Sequence, residues 1–235
     1  MVRTCAWGPG WGWALERVPA LLGLHDDPAA FAPTDGRIAS LARRWRGLHL
    51  SRSPWVHDGL SEYVLQQRVT FRDAVRAQRR LVQALSPAAP GPPGLRLPLA
   101  PADWLRLRSD DFYRAGIDGQ RARTLRAVAR EARRVDTAFE RSPAAGRAVL
   151  SSLPGCGPWT VEITMGFVLG DPDAVPTGDL HLPHEVAWVL AGLARGSDQS
   201  MLELLSPFAG QRFRVLRLLL AGGRVHLGRA LPRTR

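Results

Sequence analysis

The 235-residue chain contains no lysine, so all 32 of its basic side chains are arginines. The absence of lysine excludes a Schiff base on a side-chain amine, a phosphate-binding P-loop lysine and a lysine general base. Cysteine is also scarce, since only Cys5 and Cys156 are present. Two cysteines are too few for a disulfide framework, a four-cysteine zinc site or an iron–sulfur cluster.

Acidic residues are few relative to basic ones: 21 against 32, which gives a formal net charge of +11. Such an excess favours a polyanionic partner, most commonly nucleic acid, although a basic protein that merely stays soluble would show it too. No apolar run approaches the roughly 18 residues needed to cross a bilayer, and no signal-peptide pattern follows Met1. We therefore expect a cytoplasmic, nucleoid-associated protein without a membrane partner.

Few groups of metal-ligating side chains occur. The tightest is Asp179, His181, His184 and Glu185, and Pro183 interrupts it. Helical metal ligands usually stand four residues apart, so these residues are expected to be solvated and no metal site built from side chains is predicted.

Helical periodicity dominates the sequence and alternating strand patterns are nearly absent, so the predicted fold class is all-α. Predicted helices cover 13–22, 38–46, 59–67, 71–85, 120–139, 180–193 and 200–220, with further helices starting near Pro101, Pro143 and Pro158. Six prolines in 86–101 predict an extended surface linker. Arginines in 120–139, Arg121 among them, are expected mostly on a solvated helix face.

The segment Leu153-Pro-Gly-Cys-Gly-Pro-Trp-Thr160 is the most informative part of the sequence. Gly155 and Gly157 allow a tight hairpin that another molecule can approach closely. A helix beginning at Pro158 would present its positive end there, where a phosphate could bind. A Gly-x-Gly between helices is also common in ordinary turns, and the chain's positive charge favours the phosphate interpretation.

This hairpin resembles that of the helix–hairpin–helix DNA glycosylases, in particular their alkylation-repair branch. The stretch 169–180 resembles the one that leads into that branch's catalytic aspartate, and Asp179 lies 22 residues after Gly157, as the family requires. Two further segments, 64–70 and 207–214, resemble the glutamine-bearing turn that probes the duplex and the start of the closing helix. The resemblance covers most of the chain, from Ser51 to Ala221.

The resemblance implies two interdigitated helical subdomains with the active site in the cleft between them. It divides the chain into a 1–50 lead-in, a glycosylase domain at 51–221 and a basic tail at 222–235. The lead-in has room for only a remnant of that branch's N-terminal α/β domain, so we expect either that the domain was lost or that the sequence starts late. Family members with lyase activity carry a lysine after the hairpin glycines, where this chain has Pro158 and Trp159. The four C-terminal cysteines of other branches are also absent.

What remains is the 3-methyladenine DNA glycosylase II type. The resemblance therefore implies a monofunctional, monomeric enzyme of base excision repair that acts on double-stranded DNA containing damaged bases. It would hydrolyse the N-glycosidic bond of alkylated purines without AP-lyase activity. No cofactor is implied beyond a monovalent cation, which family members commonly bind through hairpin backbone carbonyls.

The resemblance also assigns site residues. Asp179 would stabilise the cationic sugar and orient water, whereas the structural alternative makes it only the N-cap of the next helix. The residues expected to contact DNA are Gly155, Gly157, Pro158, Trp159, Thr160, Gln67 and Arg68. Of these, Gln67 and Arg68 would enter the gap left by the flipped base. Trp188 and Arg214 are candidates for the base pocket, although a core role is an alternative for Trp159 and Trp188. Arg212, Arg214 and Arg217 stand where relatives often have aromatics.

A second class of function stays open from the sequence: a non-catalytic helix–hairpin–helix protein that binds DNA or lesions. Asp179 discriminates between the two, because a binding module has no need of a carboxylate at the scissile bond.

Overall fold

The computed structural model describes residues 1–222, which are almost entirely helical. In this part of the chain there are thirteen α-helices and no strand, which confirms the predicted all-α class. They are α1 (Trp11–Leu21), α2 (Gly36–Arg44), α3 (Val56–Gln66), α4 (Phe71–Leu85), α5 (Pro101–Arg106), α6 (Ser109–Ala115), α7 (Gly119–Arg130), α8 (Ala132–Arg141), α9 (Pro143–Ser152), α10 (Pro158–Phe167), α11 (Leu182–Ala191), α12 (Asp198–Leu205) and α13 (Arg212–Gly222). Apart from Gly222, the predicted 222–235 tail lies outside the described residues.

The helices pack in two groups. Helices α3 to α10 contact mainly one another, while α2, α11, α12 and α13 form a second group. The groups meet where the rings of Phe167 at the end of α10 and Phe213 on α13 lie 5.0 Å apart. Gly166 permits this approach, because an added Cβ there would lie 2.2 Å from Phe213. Asp179 lies on the connection between the groups, as expected for a site between two subdomains.

Residues 1–50, predicted to be a lead-in, contribute to the second group of helices. Helix α2 packs against α13, and Ile38 on α2 is fully buried. Asp26, on the loop before α2, is bonded to Arg214 of α13. The division at residue 51 stays a prediction, and the described residues on both sides of it share one core. The proline-rich segment 86–100 is non-helical and mostly exposed, as predicted.

Several predicted helix bounds differ from the structure by one to three residues, such as that of α3, which begins at Val56 and not at Gly59, and two predicted helices are each interrupted. The helix predicted over 120–139 is interrupted at Glu131, and the one predicted over 200–220 is split by a 3-10 turn at Ser206–Phe208. A helix predicted from residue 180 begins only at Leu182. The apolar stripe continues across such one-turn breaks, so periodicity alone does not reveal them.

Arg121 was also predicted wrongly as a member of the solvated face of its helix. Its side chain is only 6% exposed and donates to the carboxylate of Asp118 and to the carbonyls of Leu65 and Gly116 at 2.6, 2.9 and 2.9 Å. A guanidinium can be buried when its fork of donors is satisfied in this way. Arg121 therefore ties α7 to the end of α3.

None of the helices in the described part of the chain combines the length and the apolar character that a membrane span requires.

Candidate active site and nucleic-acid interface

The turn between α9 and α10 has two glycines with different constraints. Gly155 adopts φ +86°, and a Cβ there would lie 1.9 Å from Oγ1 of Thr124, so only glycine fits. Gly157 has φ −77°, and nothing lies within 4 Å of an added Cβ. Gly155, Gly157 and Pro158 are all exposed. The hairpin therefore offers open backbone at the positive end of α10, which no side chain caps.

Cys156, between the two glycines, faces the core. Its backbone N–H donates to the carbonyl of Leu153 at 3.1 Å, and burial raises the pKa of its thiol to about 12. The thiol therefore stays protonated and unreactive at neutral pH. Cys156 packs the turn and leaves the hairpin's surface to backbone groups.

Gln67 and Arg68 follow α3 and lie at the hairpin. The Gln67 amide donates to the carbonyl of Gly155 at 2.9 Å and to Oγ1 of Thr160 at 2.7 Å. Gln67 thus ties the end of α3 to the hairpin, and Thr160 is itself buried. Arg68 is exposed and adopts φ +59°, a conformation unusual for a residue other than glycine. Of the two predicted gap-entering residues, Arg68 is the one that reaches solvent.

Asp179 connects α10 to α11 through both carboxylate oxygens. Oδ1 accepts hydrogen bonds from the backbone N–H groups of His181 and Leu182 at 2.8 and 2.9 Å. The side chain therefore satisfies two donors at the start of α11, although the N-cap residue itself is His181 and not Asp179 as predicted. Oδ2 accepts from Nε1 of Trp159 at 2.8 Å. Asp198 steadies the preceding turn by accepting from the N–H of Gly178 at 2.8 Å. A half-exposed carboxylate is thereby fixed beside the first turn of the hairpin helix.

A row of half-buried aromatic side chains extends from Trp159. The Tyr63 ring lies edge-on to Trp159 with centroids 6.3 Å apart, and Phe167 lies 6.1 Å from Tyr63. The guanidinium carbon of Arg217 stands 4.7 Å above the Phe167 ring. Burial raises the pKa of Tyr63, which keeps its hydroxyl protonated. We call Trp159, Tyr63, Phe167 and Arg217 the aromatic row; its end at Trp159 is bonded to Asp179.

Sequence reasoning did not identify Tyr63 and Phe167. One available signal was spacing, because Tyr63 lies four residues before Gln67 and so on the same side of α3. Phe167 carries no such signal, since an aromatic residue at the end of an apolar helix is typical of a core.

The two predicted base-pocket residues differ in burial and in their partners. Trp188 is half-buried on α11. Arg214 is buried and donates to both oxygens of Asp26 at 3.0 and 2.6 Å and to Oε1 of Gln211 at 2.7 Å. Burial would raise the pKa of Asp26, but these bonds and the Leu50 N–H outweigh it and hold that pKa below its usual range. The geometry gives Arg214 a structural role joining α13 to the N-terminal loop.

Ion pairs hold the loop between α10 and Asp179. Arg147 on α9 pairs with Glu162 on α10 and with Asp171. Asp173 accepts from Nε of Arg212 on α13 at 2.7 Å. These pairs anchor the chain on either side of the site.

Among residues 1–222, no group of three or more His, Cys, Asp or Glu side chains is placed to hold a metal ion.

Comparison with known proteins gives similarity at the level of structure. No family model and no curated protein matches the chain. The 3-methyladenine DNA-glycosylase of Archaeoglobus fulgidus is 20% identical with a TM-score of 0.77, over 97% of this chain and 80% of that one. The 3-methyladenine DNA glycosylase of Schizosaccharomyces pombe, solved in complex with abasic DNA, is 17% identical with a TM-score of 0.65. The match covers 90% of this chain and 98% of that one.

An 8-oxoguanine glycosylase/lyase of Clostridium acetobutylicum is 12% identical with a TM-score of 0.69, over 88% of this chain and 74% of that one. At these identities the similarity shows the fold. The chain has the helix–hairpin–helix DNA glycosylase fold, and at that level the resemblance found in the sequence is confirmed.

Proposed function

We propose that this chain, which has the fold of the helix–hairpin–helix glycosylases, is a monofunctional DNA glycosylase of base excision repair. It would hydrolyse the N-glycosidic bond of alkylated purines, as the 3-methyladenine DNA glycosylase II type does. One observation carries the proposal: the Asp179 carboxylate is fixed by Trp159 beside the hairpin that would hold the DNA backbone. Two of the structural neighbours bear the name 3-methyladenine DNA glycosylase, which supports this substrate class.

The hairpin supplies the proposed DNA contact. Backbone N–H groups at the start of α10 would bind phosphate, and contacts of that kind position a duplex without reading its sequence. The net charge of +11 adds long-range attraction. Arg68 would enter the duplex, because the damaged nucleotide has to leave the base stack before its glycosidic bond can be reached. The aromatic row offers ring faces on which the extruded base would stack.

Asp179 supplies the proposed chemistry. The bond between C1′ and the base nitrogen breaks and its electron pair leaves with the base, which a positive charge on an alkylated purine facilitates. Positive charge then develops on the sugar, where a nearby carboxylate stabilises it. A water molecule adds to C1′ and gives up a proton, for which Asp179 is the acceptor. The products are the free base and an abasic site.

An enzyme with this chemistry leaves the DNA strand intact. Strand cleavage by a bifunctional glycosylase needs an amine that forms an imine with the opened sugar, and the chain has no lysine. We further propose that the protein acts as a monomer on damaged double-stranded DNA in the cytoplasm. A monovalent cation on hairpin carbonyls is part of the proposal, although the Gly155 carbonyl already accepts from Gln67.

A specific observation favours the second candidate function, a lesion-binding protein without activity. Both oxygens of Asp179 have structural partners, so its presence is explained without catalysis. Incubation with methylated duplex DNA, followed by chromatography of released bases, separates the two functions. Release that depends on Asp179 supports the glycosylase. Tight binding of the same DNA with no release supports the binding protein.

A further inference from the structure

Arg217 differs from its neighbours on α13 in having no acidic partner. Arg212 pairs with Asp173 and Arg214 pairs with Asp26. Within residues 1–222, the Arg217 side chain makes no ion pair or hydrogen bond; its guanidinium stands over the Phe167 ring and interacts electrostatically with Tyr63. Burial lowers the pKa of Arg217, although the group remains a cation at neutral pH. Because Arg217 is half-buried and none of its nitrogens is a buried atom without a partner, water reaches its five donors, and a ligand that offers acceptors would replace that water.

The position of Arg217 indicates what that ligand is. It lies at one end of the aromatic row, and Asp179 lies at the other, bonded to Trp159. Tyr63 links the two ends, because its ring contacts Trp159 and Phe167 and it interacts electrostatically with Arg217. A base whose sugar lies on the Asp179 side and whose ring lies along Tyr63 would turn its far edge towards Arg217. Because a guanidinium only donates, that edge has to offer acceptors.

We propose that Arg217 is a specificity-determining residue that selects purines with both O6 and N7 free, the guanine-type edge. This inference rests on the proposed glycosylase function. Guanine presents O6 and N7 as two adjacent acceptors that arginine bonds bidentately, whereas adenine presents one acceptor beside an amino donor. The site would therefore prefer 3-methylguanine to 3-methyladenine. The site would favour 7-methylguanine less than 3-methylguanine, since the methyl group of 7-methylguanine blocks the N7 acceptor.

The test uses dimethyl sulfate-treated duplex DNA, which contains all three methylated bases in one substrate. Released bases are separated by chromatography, and each first-order rate constant is divided by the spontaneous rate measured without protein. For the wild-type chain we expect the normalised constant of 3-methylguanine to exceed that of 3-methyladenine by about ten- to a hundredfold, the effect of a hydrogen bond to a charged donor. Both bases are methylated at N3, but they differ in the 2-amino group as well as at the edge beside N7, so the variants at residue 217 are needed to assign the preference to that edge.

Variants assign the preference to Arg217. Arg217→Met keeps length and apolar contact and should bring the ratio close to one, while Arg217→Lys should restore part of it. Arg141→Met is the control, because it removes one exposed positive charge at the end of α8, twelve residues before the hairpin begins at Leu153, and should leave the ratio unchanged. Melting temperatures show which variants are folded.

Equal normalised constants for 3-methylguanine and 3-methyladenine in the wild type would overturn the inference whatever the variants do. An unchanged ratio in folded Arg217→Met would do the same. Either result leaves the proposed glycosylase function intact. Release of no methylated base at all would refute the proposed function, and the inference with it.

Discussion

Replacing Asp179 by asparagine removes its charge and changes its hydrogen bonding by one contact. The amide oxygen can still accept from the N–H groups of His181 and Leu182, so both hydrogen bonds at the start of α11 are kept. The amide NH2 then faces Nε1 of Trp159, a second donor, and that bond of 2.8 Å is lost. One half-buried hydrogen bond corresponds to about 1 kcal/mol of unfolding free energy.

The expected loss of rate is far larger than this loss of stability. Removing one fixed electrostatic stabiliser of a charged transition state typically lowers the rate by about 10²–10³-fold. We expect that loss in the single-turnover rate of base release for Asp179→Asn, with binding to lesion-containing DNA preserved. Asp179→Ala also removes the two hydrogen bonds at the start of α11, so its free energy of unfolding should be about 1 kcal/mol lower than that of Asp179→Asn.

Trp159→Phe is the matched control, because it breaks the same hydrogen bond and leaves the carboxylate charge in place. Its stability should fall by a similar amount, about 1 kcal/mol. Its rate of release should fall by about tenfold, well short of the Asp179→Asn loss, because the carboxylate keeps its charge but loses the partner that fixes it. Chemical denaturation and single-turnover assays on all three variants provide both measurements. If Asp179→Asn released bases as fast as Trp159→Phe, the carboxylate charge would have no catalytic role. That result would support the alternative function, a protein that binds lesions without excising them.

Three further predictions follow from the hairpin, the missing lysine and the buried ion pair. Gly157→Thr should fold normally, since the backbone at this position is extended and an added Cβ meets no other atom. It should weaken binding to all DNA sequences alike and reduce the slope of log K against log salt concentration by about 0.9. Gly155→Ala should instead lose about 1–3 kcal/mol of stability, because φ at this position is +86°. Product DNA should contain intact abasic sites, and borohydride should trap no stable protein–DNA adduct; efficient trapping would contradict the monofunctional assignment. Because the pKa of Asp26 is depressed in the folded chain, the stability it contributes is present above about pH 4 and lost as the pH falls further. Arg214→Met should remove about 3 kcal/mol at pH 7 in urea unfolding, and an unchanged midpoint would show that the pair is not needed.

The sequence was sufficient for features that depend on local order. The apolar spacing predicted the helical class and the bounds of Phe71–Leu85, and the run from Leu153 to Thr160 predicted a hairpin between two helices. Such features follow from backbone preferences of residues adjacent in the chain, above all the positive φ that Gly155 accepts. The missing lysine and the net charge required no structure at all.

Tertiary structure decided which polar groups meet, because their partners lie far apart in sequence. Gln67 bonds to Gly155, 88 residues away, and Arg214 bonds to Asp26, 188 residues away. No local pattern distinguishes these arginines and glutamines from exposed ones. Arginine suits either environment, since its fork of donors can be satisfied by water or by buried acceptors. The burial of Arg121, the partner of Asp179 and the unpaired state of Arg217 were therefore fixed only when the helices packed.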